Sequence, residues 1–321
     1  MEIPDINEKW TSSLSAVTIG ATADEGGTRS KSITVGGAQG LPFLRFESPD
    51  PNPPVFALEV QDREPGEDWP EVSKEPFADV LGSPAEWAAK CVEEYGADMI
   101  YLRMLGTHPD FGDASPDKAA EVVQSVLKAV DVPLIIWGSD ENNKDNDVLP
   151  ACAQAATKER CLFGSAKEDN YKTLVAACQA DGHALVTESP IDINIAKQVN
   201  ILVSEMDFPL DRVVIYPTCG ALGYGIEYVY SILERGRLAA LSGDKMMAMP
   251  IIILVGQEAW RAKEAKAPAT EAPEWGDEKQ RGILWEIMTA TTLMQGGTDV
   301  VVMRHPEALK TVREHAQTLR E

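Results

Sequence analysis

The feature that most constrains this chain is a unit that recurs from Val55 onward: a short apolar strand, a polar loop and an amphipathic helix. Continuous apolar runs are typical of parallel strands that are buried on both faces, so the pattern predicts an α/β fold. The eight runs are VFALEV (55–60), DMIYLR (98–103), PLIIW (133–137), RCLFGS (160–165), HALVTE (183–188), RVVIYP (212–217), PIIILV (250–255) and DVVVMR (299–304).

Two architectures accommodate strands that alternate with helices in this way. The first is a (β/α)8 barrel, or TIM barrel, which is built from eight units in about 250 residues. The second is a doubly wound open sheet. We favour the barrel because the eighth unit completes the count and no Gly-x-Gly-x-x-Gly motif follows the first strand. We therefore predict a (β/α)8 barrel over residues 55–321.

Three of the expected helices carry the same start signal, a serine followed by a proline: Ser83-Pro84, Ser115-Pro116 and Ser189-Pro190. A serine hydroxyl can accept a hydrogen bond from an N–H group in the first turn of a helix, and proline suits the first helical position. We therefore predict that each of these serines caps a helix.

Residues 1–54 do not follow the repeating pattern. The stretch SAVTIGATADEGGTRSKSITVGG alternates apolar and polar residues on both sides of the turn at 24–27, which predicts a β-hairpin. The proline-rich stretch SPDPNPPV (48–55) then indicates a boundary. We therefore divide the chain into an N-terminal β-hairpin extension at 1–54 and the barrel at 55–321.

Two segments interrupt the repeating units, one at 61–82 after the first barrel strand and one at 261–277 after the seventh. Both follow the carboxyl ends of strands, which form the functional face of a barrel. Their Pro, Glu and Ala content predicts excursions or lids rather than core, and a disordered linker is the alternative for the second segment.

The formal net charge of the chain is −22 at pH 7, which argues against nucleic acid and anionic membrane as partners. Residues 1–11 are polar and charged, unlike a secretory leader. No stretch approaches the roughly 20 apolar residues that cross a bilayer. We expect a cytoplasmic protein.

The five cysteines are spread along the chain without a Cys-x-x-Cys pair: Cys91, Cys152, Cys161, Cys178 and Cys219. Iron–sulfur clusters usually draw on closely spaced thiolates, so this chain alone is a poor cluster binder. The odd number argues against a disulfide framework. We expect buried free thiols, with Cys219 as the exception because it follows the sixth strand.

Three common barrel chemistries find little support. Only His108 and His305, of four histidines, follow the carboxyl ends of strands, and they form no His-x-His pair for a metal. No predicted strand contains a lysine for Schiff-base chemistry. The segments after strands seven and eight, VGQEAW and MRHPEAL, are poor in the glycine that a phosphate site uses, so a phosphorylated sugar is not expected.

The side chains after the strands are instead mostly neutral and polar. The candidate ligand-binding residues are Thr107, Asn142, Asn143, Asp145, Thr187, Thr218, Cys219 and Gly220. Three of them belong to WGSDENNKDNDVLP (137–150), which we interpret as a binding loop, with a solvated loop as the alternative. The glycines of YPTCGALGYG (216–225) allow backbone N–H groups to approach a ligand closely. This lining suits a large neutral ligand with many amides, although a strand-end Thr can also simply cap the next helix.

Three long stretches resemble a known family: TIGATADEGGTRSKSITVGG, WGSDENNKDNDVLPACAQAA and YPTCGALGYGIEYVYSILERG. They are similar to the small subunit of the corrinoid iron–sulfur protein, which corresponds to the delta subunit of the acetyl-CoA decarbonylase/synthase complex in methanogens. The resemblance covers nearly the whole chain, including the hairpin.

The resemblance implies a barrel that pairs with a large subunit, which carries the [4Fe–4S] cluster and the corrinoid-binding domain. The corrinoid would lie between that domain and the carboxyl face of the barrel. The heterodimer would take a methyl group from methyltetrahydrofolate through a separate methyltransferase. It would deliver this group to acetyl-CoA synthase/CO dehydrogenase in the reductive acetyl-CoA (Wood–Ljungdahl) pathway.

The scattered cysteines and the shortage of catalytic groups at the strand ends agree with a subunit that positions a cofactor held by another chain. Such a subunit would be non-catalytic or co-catalytic, with no independent turnover. Two alternatives remain open at this point. One is a pterin-dependent methyltransferase barrel that acts as an enzyme by itself, because such enzymes also hold a pterin with Asp and Asn at strand ends. The other is a scaffold that never touches the corrinoid.

Overall fold

A computed structural model describes residues 7–48 and 50–321 of the chain and contains a parallel eight-stranded barrel preceded by a small antiparallel hairpin. The strands are β1 (Ala16–Ile19), β2 (Ile33–Gly36), β3 (Val55–Gln61), β4 (Met99–Arg103), β5 (Leu134–Trp137), β6 (Leu162–Ala166), β7 (Ala184–Glu188), β8 (Val213–Tyr216), β9 (Ile252–Leu254) and β10 (Val300–Met303). Each of the eight predicted runs overlaps one barrel strand, which confirms the (β/α)8 fold class with its hairpin extension.

The eight barrel strands pair in the order β8-β7-β6-β5-β4-β3-β10-β9, and every one of these pairs is parallel. The sheet is nearly closed by a single bridge between Ile215 and Ile251, where the Ile215 N–H donates to the Pro250 carbonyl at 2.8 Å. The strands are buried on both faces, which explains why they read as continuous apolar runs in the sequence.

The helices lie between the strands and cover the barrel from outside. They are α1 (Glu71–Lys74), α2 (Pro84–Glu93), α3 (Pro116–Ala129), α4 (Asn142–Ala155), α5 (Tyr171–Asp181), α6 (Ile193–Ser204), α7 (Ile226–Leu241), α8 (Val255–Ala259), α9 (Lys263–Lys266), α10 (Glu278–Gln295) and α11 (Pro306–Arg320). Among the residues that the structure describes, no helix combines the length and the apolar character needed to cross a membrane.

Two of the three predicted serine caps are confirmed, and the third is wrong. Ser83 and Ser115 accept hydrogen bonds from backbone N–H groups in the first turns of α2 and α3. At the third position the cap of α6 is Asp192, whose carboxylate accepts from two backbone N–H groups. Ser189 lies three residues before this cap, and its own N–H donates to the Tyr216 carbonyl and so continues the pairing of β7 with β8.

The N-terminal hairpin covers the amino ends of the barrel strands. β1 and β2 pair antiparallel, and the apolar face of the hairpin joins the main core. Backbone hydrogen bonds attach it at three places: Gly20 donates to Arg160 at 2.8 Å, Ser30 to Asp131 at 2.9 Å and Ser15 to Ala248 at 2.6 Å. The hairpin therefore closes the end of the barrel that is opposite to the functional face.

Arg29 is the main polar anchor of the hairpin. Its Nε donates to the Glu159 carboxylate at 2.9 Å, and both side chains are buried. Its two other nitrogens donate to the Leu127 and Val130 carbonyls at 2.6 Å, at the C-terminal end of α3, where helix carbonyls lack intrahelical partners. One guanidinium thus joins the hairpin to α3 and to the segment that precedes β6.

The two interrupting segments are folded against the barrel. In the first, Trp69 and Phe77 are buried and both rings contact Trp87 of α2. In the second, the carbonyls of Glu264 and Ala267 accept hydrogen bonds from Arg281 of α10. The segment at 261–277 is therefore attached to the outer helix layer and is not a disordered linker.

Replacement of Arg29 by Ala is expected to lower the free energy of unfolding by about 3–5 kcal/mol, because it leaves the buried Glu159 carboxylate without its cation. Chemical denaturation measures the change. Lys128→Ala, at an exposed basic residue near by, is the matched control and should change stability by less than about 0.5 kcal/mol. Equal effects of the two substitutions would contradict the anchoring role of Arg29.

The stability of the protein is expected to fall between pH 5 and pH 7, partly through Asp299. Burial raises the pKa of the Asp299 carboxyl to about 6, against the opposing effects of Arg237 and of the Ile251 N–H. The folded protein therefore holds a proton that the unfolded chain has already released, and this contribution is lost as the pH rises.

Asp299→Asn keeps an acceptor for the Ile251 N–H and removes this titration. The fall in unfolding free energy from pH 5 to pH 7 should become smaller by about 1 kcal/mol, as urea denaturation at both pH values would show. An unchanged pH dependence in the variant would contradict the prediction, whatever its absolute stability.

Candidate functional site

Aromatic and charged side chains fill the barrel interior near the carboxyl ends of the strands. The Trp137 ring on β5 meets the Tyr216 ring on β8 edge to face, with centroids 5.4 Å apart, although two strands lie between β5 and β8. This contact crosses the interior. Tyr101 on β4 lies 5.6 Å from Trp137, measured between ring centroids. Since every second residue of a strand shares a face, Arg103 also points inward.

The neighbouring strand β3 adds a carboxylate and an amide to this interior. Glu59 lies opposite Tyr101 in the register of β3 and β4, and Gln61 lies opposite Arg103. The Gln61 Nε2 donates to Glu59 Oε1 at 3.0 Å. These four residues therefore form two stacked rows at the mouth of the barrel, with Gln61 and Arg103 as the last residues of their strands.

Arg304, directly after β10, neutralises Glu59. Its Nε lies 2.7 Å from Glu59 Oε2, and both side chains are almost completely buried. Burial alone would raise the pKa of the Glu59 carboxyl, but Arg304, Arg103 and Gln61 together outweigh burial and hold this pKa below its usual range. The guanidinium also lies under the Trp69 ring, 4.6 Å from its centroid, so part of the segment at 61–82 covers the ion pair.

Arg103 has its own anion in Asp140. Its Nη2 lies 2.6 Å from Asp140 Oδ2, and the Trp137 Nε1 donates to the other carboxylate oxygen at 3.4 Å. The buried Asp145 carboxylate fixes the turn that presents Asp140, because it accepts the backbone N–H groups of Ser139 at 2.7 Å and Asp140 at 3.0 Å. Asp145 is thus engaged within the chain.

The interpretation of 137–150 as a loop is wrong for most of its length, because α4 begins at Asn142. Glu141 caps this helix through its carboxylate, which accepts from the Lys144 N–H at 2.6 Å. Asn142 is half-buried and Asn143 is exposed on the first turn. The run of polar residues is therefore a helix N-terminus, where short polar side chains satisfy otherwise unpaired N–H groups.

The loops after β7 and β8 are joined by Thr218. Its hydroxyl donates to the Ser189 carbonyl, and its φ of 65° is rare for a β-branched residue. A Cβ on the neighbouring Gly220 would come within 2.9 Å of the Tyr224 carbonyl oxygen, so the turn requires glycine there. This strained turn is held in place at the carboxyl face of the barrel, as local strain at a functional site often is.

The remaining predicted binding residues are buried. Thr107 donates to the Met104 carbonyl at 2.7 Å. Thr187 donates at 2.7 Å to Asn200 of α6, which lies outside the barrel, and so points away from the mouth. Burial raises the pKa of the Cys219 thiol well above its usual value, so this cysteine is protonated. Gly220 is buried as well. The structure thus leaves Asn142, Asn143 and Thr218 as the accessible members of the predicted set, and their ligand-binding role stays a prediction.

Two carboxyls at the mouth have a raised pKa. Burial raises the pKa of Asp62 to about 6, although its carboxylate accepts from the Gly106 N–H at 2.6 Å. Burial also raises the pKa of Glu188, which accepts a hydrogen bond from Ser165 and lies 3.6 Å from the Lys167 ammonium. Groups of this kind in a cleft are candidates for proton transfer.

Sequence reasoning missed the charged residues of the interior because they stand inside runs that otherwise read as apolar. Glu59 and Gln61 share one face of β3, and Arg304 follows β10 directly. A charged residue inside a strand that is buried on both faces needs a partner of opposite charge. That requirement was the available signal for a polar interior.

Large apolar side chains stand around this polar mouth on the loops that follow the strands. Phe111 is 48% exposed, Ile191 38%, Tyr224 52% and Trp275 40%, values that are high for residues of this size. They come from the loops after β4, β7, β8 and β9. We call these four residues the apolar rim. Such a rim around a polar centre is typical of a surface that meets a ligand or a partner protein.

The five cysteines are all buried and free. Over residues 7–48 and 50–321, no three His, Cys, Asp or Glu side chains are grouped as potential metal ligands. The polar groups of the mouth are arranged as ion pairs and amide contacts instead.

Comparison with known proteins shows the family of the chain. The sequence profile described as CO dehydrogenase/acetyl-CoA synthase delta subunit matches residues 16–316. The acetyl-CoA decarbonylase/synthase complex subunit delta of Methanothermobacter thermautotrophicus is 41% identical over 91% of this chain and 73% of its own length. The subunit of the same name from Archaeoglobus fulgidus is 37% identical over 97% of this chain and 70% of its own length.

Solved structures with a similar fold include dihydropteroate synthases. The Coxiella burnetii enzyme, in complex with pteroic acid, aligns with a TM-score of 0.56 at 11% identity, over 86% of this chain and 97% of the other. The Yersinia pestis enzyme aligns with a TM-score of 0.55 at 13% identity, over 84% and 93% of the two chains. At this identity the likeness concerns the barrel alone. The long sequence matches show more: the chain belongs to the family of the CO dehydrogenase/acetyl-CoA synthase delta subunit.

Proposed function

We propose that the chain is the small subunit of a heterodimeric corrinoid iron–sulfur methyl carrier, and that its carboxyl face caps the cobamide held by the large subunit. The large subunit alone carries the [4Fe–4S] cluster. The heterodimer accepts a methyl group from methyltetrahydrofolate through a methyltransferase and passes it to acetyl-CoA synthase/CO dehydrogenase in the Wood–Ljungdahl pathway. The relatives support this proposal through their names, since each is named as a subunit of the acetyl-CoA decarbonylase/synthase complex.

The observation that carries the proposal is the apolar rim around a polar mouth on one face of the barrel. A corrin ring is broad and largely apolar on its two faces, and its edge carries amide side chains. The exposed apolar side chains can pack against the ring, and the accessible polar groups of the loops can hydrogen-bond its amides. A ligand of this size, held mostly by another chain, needs a wide face of this kind.

The accessible polar groups next to the rim indicate which residues would hold the corrinoid. These are Asn142, Asn143 and Thr218. The bound corrinoid supplies the cobalt that carries the methyl group. The chain contributes the surroundings: Ile191 and Tyr224 exclude water from the face of the ring, and the fixed turn at Thr218 orients it.

The second candidate is a methyltransferase barrel that binds a pterin and turns over by itself. One observation favours it, the Asp62 carboxyl at the end of β3. The pKa of this group is raised by burial to about 6, which suits a general acid or base near neutral pH. The neighbouring Asp140 is already neutralised by Arg103 and would not share this role.

Ile191→Asp is expected to weaken assembly with the corrinoid-bearing large subunit at least about tenfold, because it places a charge in an apolar contact. Sedimentation or calorimetric titration of the purified partner measures this, with cobalt and iron analysis of the complex. Leu238→Asp is the matched control: Leu238 is 42% exposed, close to the 38% of Ile191, but lies on the outer face of α7. Equal losses in the two variants would argue against the rim as the docking face.

The chain alone is expected to show no enzyme-like methyl transfer from methyltetrahydrofolate to free cobalamin, because in the proposed function it caps the cobamide and a separate methyltransferase handles the methyl donor. Absorbance of methylcobalamin follows the reaction, and Asp62→Asn provides the comparison. Rapid transfer that Asp62→Asn abolishes would replace the carrier proposal with the pterin-dependent enzyme.

A further inference from the structure

Besides atoms of Arg304 and Trp69, three polar atoms at the mouth of the barrel are buried and, within the part of the chain that the structure describes, have no hydrogen-bond partner. They are Gln61 Oε1, Tyr101 Oη and Arg103 Nε. Their residues are at most 5% exposed. A buried polar atom without a partner costs free energy of the order of 1–3 kcal/mol, so three together in one place require an explanation.

The three atoms belong to one group of side chains. Gln61 and Arg103 lie opposite each other on neighbouring strands, and Tyr101 precedes Arg103 by two residues on the same face. The other polar ends of two of these side chains are fixed, since Gln61 Nε2 donates to Glu59 and Arg103 Nη2 donates to Asp140. The unpaired atoms are therefore held in place rather than free to turn toward a neighbour.

The chemistry of the group selects a neutral ligand that both accepts and donates hydrogen bonds. Arg103 Nε is a donor, Gln61 Oε1 is an acceptor, and the Tyr101 hydroxyl can be either. The local charges already cancel, because Arg103 is paired with Asp140 and Glu59 with Arg304. A carboxylate would face the Gln61 oxygen, and an ammonium would face the Arg103 N–H. A primary carboxamide meets both requirements with its C=O and NH2 groups.

We propose that Gln61, Tyr101 and Arg103 form a subsite for one side-chain carboxamide of the corrin ring. The proposal rests on the proposed function of the carboxyl face. The amide C=O accepts from Arg103 Nε, and its NH2 group donates to Gln61 Oε1 and Tyr101 Oη. Gln61 and Arg103 end their strands, and the Asp140 side chain beside Arg103 is 39% exposed, so the group lies next to the open end of the barrel. This contact would set the rotation of the ring over the barrel.

Tyr101→Phe tests the subsite, because it removes the unpaired hydroxyl and breaks no hydrogen bond within the described residues. The variant should unfold at the same denaturant concentration as the wild type or a higher one. When the complex with its corrinoid-free large subunit is titrated with cobinamide, the variant should bind about fivefold more weakly. Tyr230→Phe, on the outer helix α7, is the matched control and should leave the affinity unchanged.

A second ligand separates this inference from the proposed function. A corrinoid whose side-chain amides are all replaced by methyl esters keeps the acceptors and loses the N–H donors. The wild-type complex should prefer cobinamide to this ester about tenfold, and Tyr101→Phe should reduce that preference. If the complex binds both equally and Tyr101→Phe has no effect, the subsite is wrong while corrinoid capping stands. If the complex binds neither corrinoid, the proposed function itself fails.

Discussion

The ion pair between Glu59 and Arg304 is the interaction on which the barrel mouth depends. It connects residues 245 positions apart, one on the first barrel strand and one directly after the last, across the seam where the ends of the repeating pattern meet. A lone charge at either position would be strongly unfavourable in this buried environment, so each charge offsets the cost of burying the other. Gln61 is fixed by Glu59, and Trp69 is stacked over Arg304, so the lining and the cover of the mouth both follow from this one contact.

The barrel could be predicted from the sequence because its strands are buried on both faces. Each strand therefore appears in the sequence as a continuous run of apolar residues. The hairpin was equally visible, since its alternating residues cover the amino end of the barrel and join the core. The capping of α6 was not predictable from the Ser-Pro motif: Ser189 remains in strand pairing, and the carboxylate of Asp192 lies at the correct distance from the first turn. Local signals identify caps only when tertiary pairing leaves the residue free.

The site was predicted less well than the fold, and for one physical reason. Polar side chains in loops attract notice in a sequence, but many of them, such as Asp145 and Thr187, satisfy the chain itself. The polar residues that face the interior lie within strands that are otherwise apolar, so the sequence pattern does not single them out. The contacts among Glu59, Tyr101 and Arg103 depend on the register of the neighbouring strands β3 and β4. The sequence of one strand does not determine its register with the next.

The closure of the barrel by the hairpin has a consequence for the order in which the chain becomes compact. The hairpin is synthesised before the barrel, yet its backbone partners lie at Arg160 and Ala248. Contacts between residues so far apart in sequence form late, because a long loop must close before they yield any stabilisation. Val17 and Ile19, which are fully buried in the finished protein, therefore remain exposed while most of the barrel is being made. These two β-branched residues are made before the barrel and are among the last to leave water.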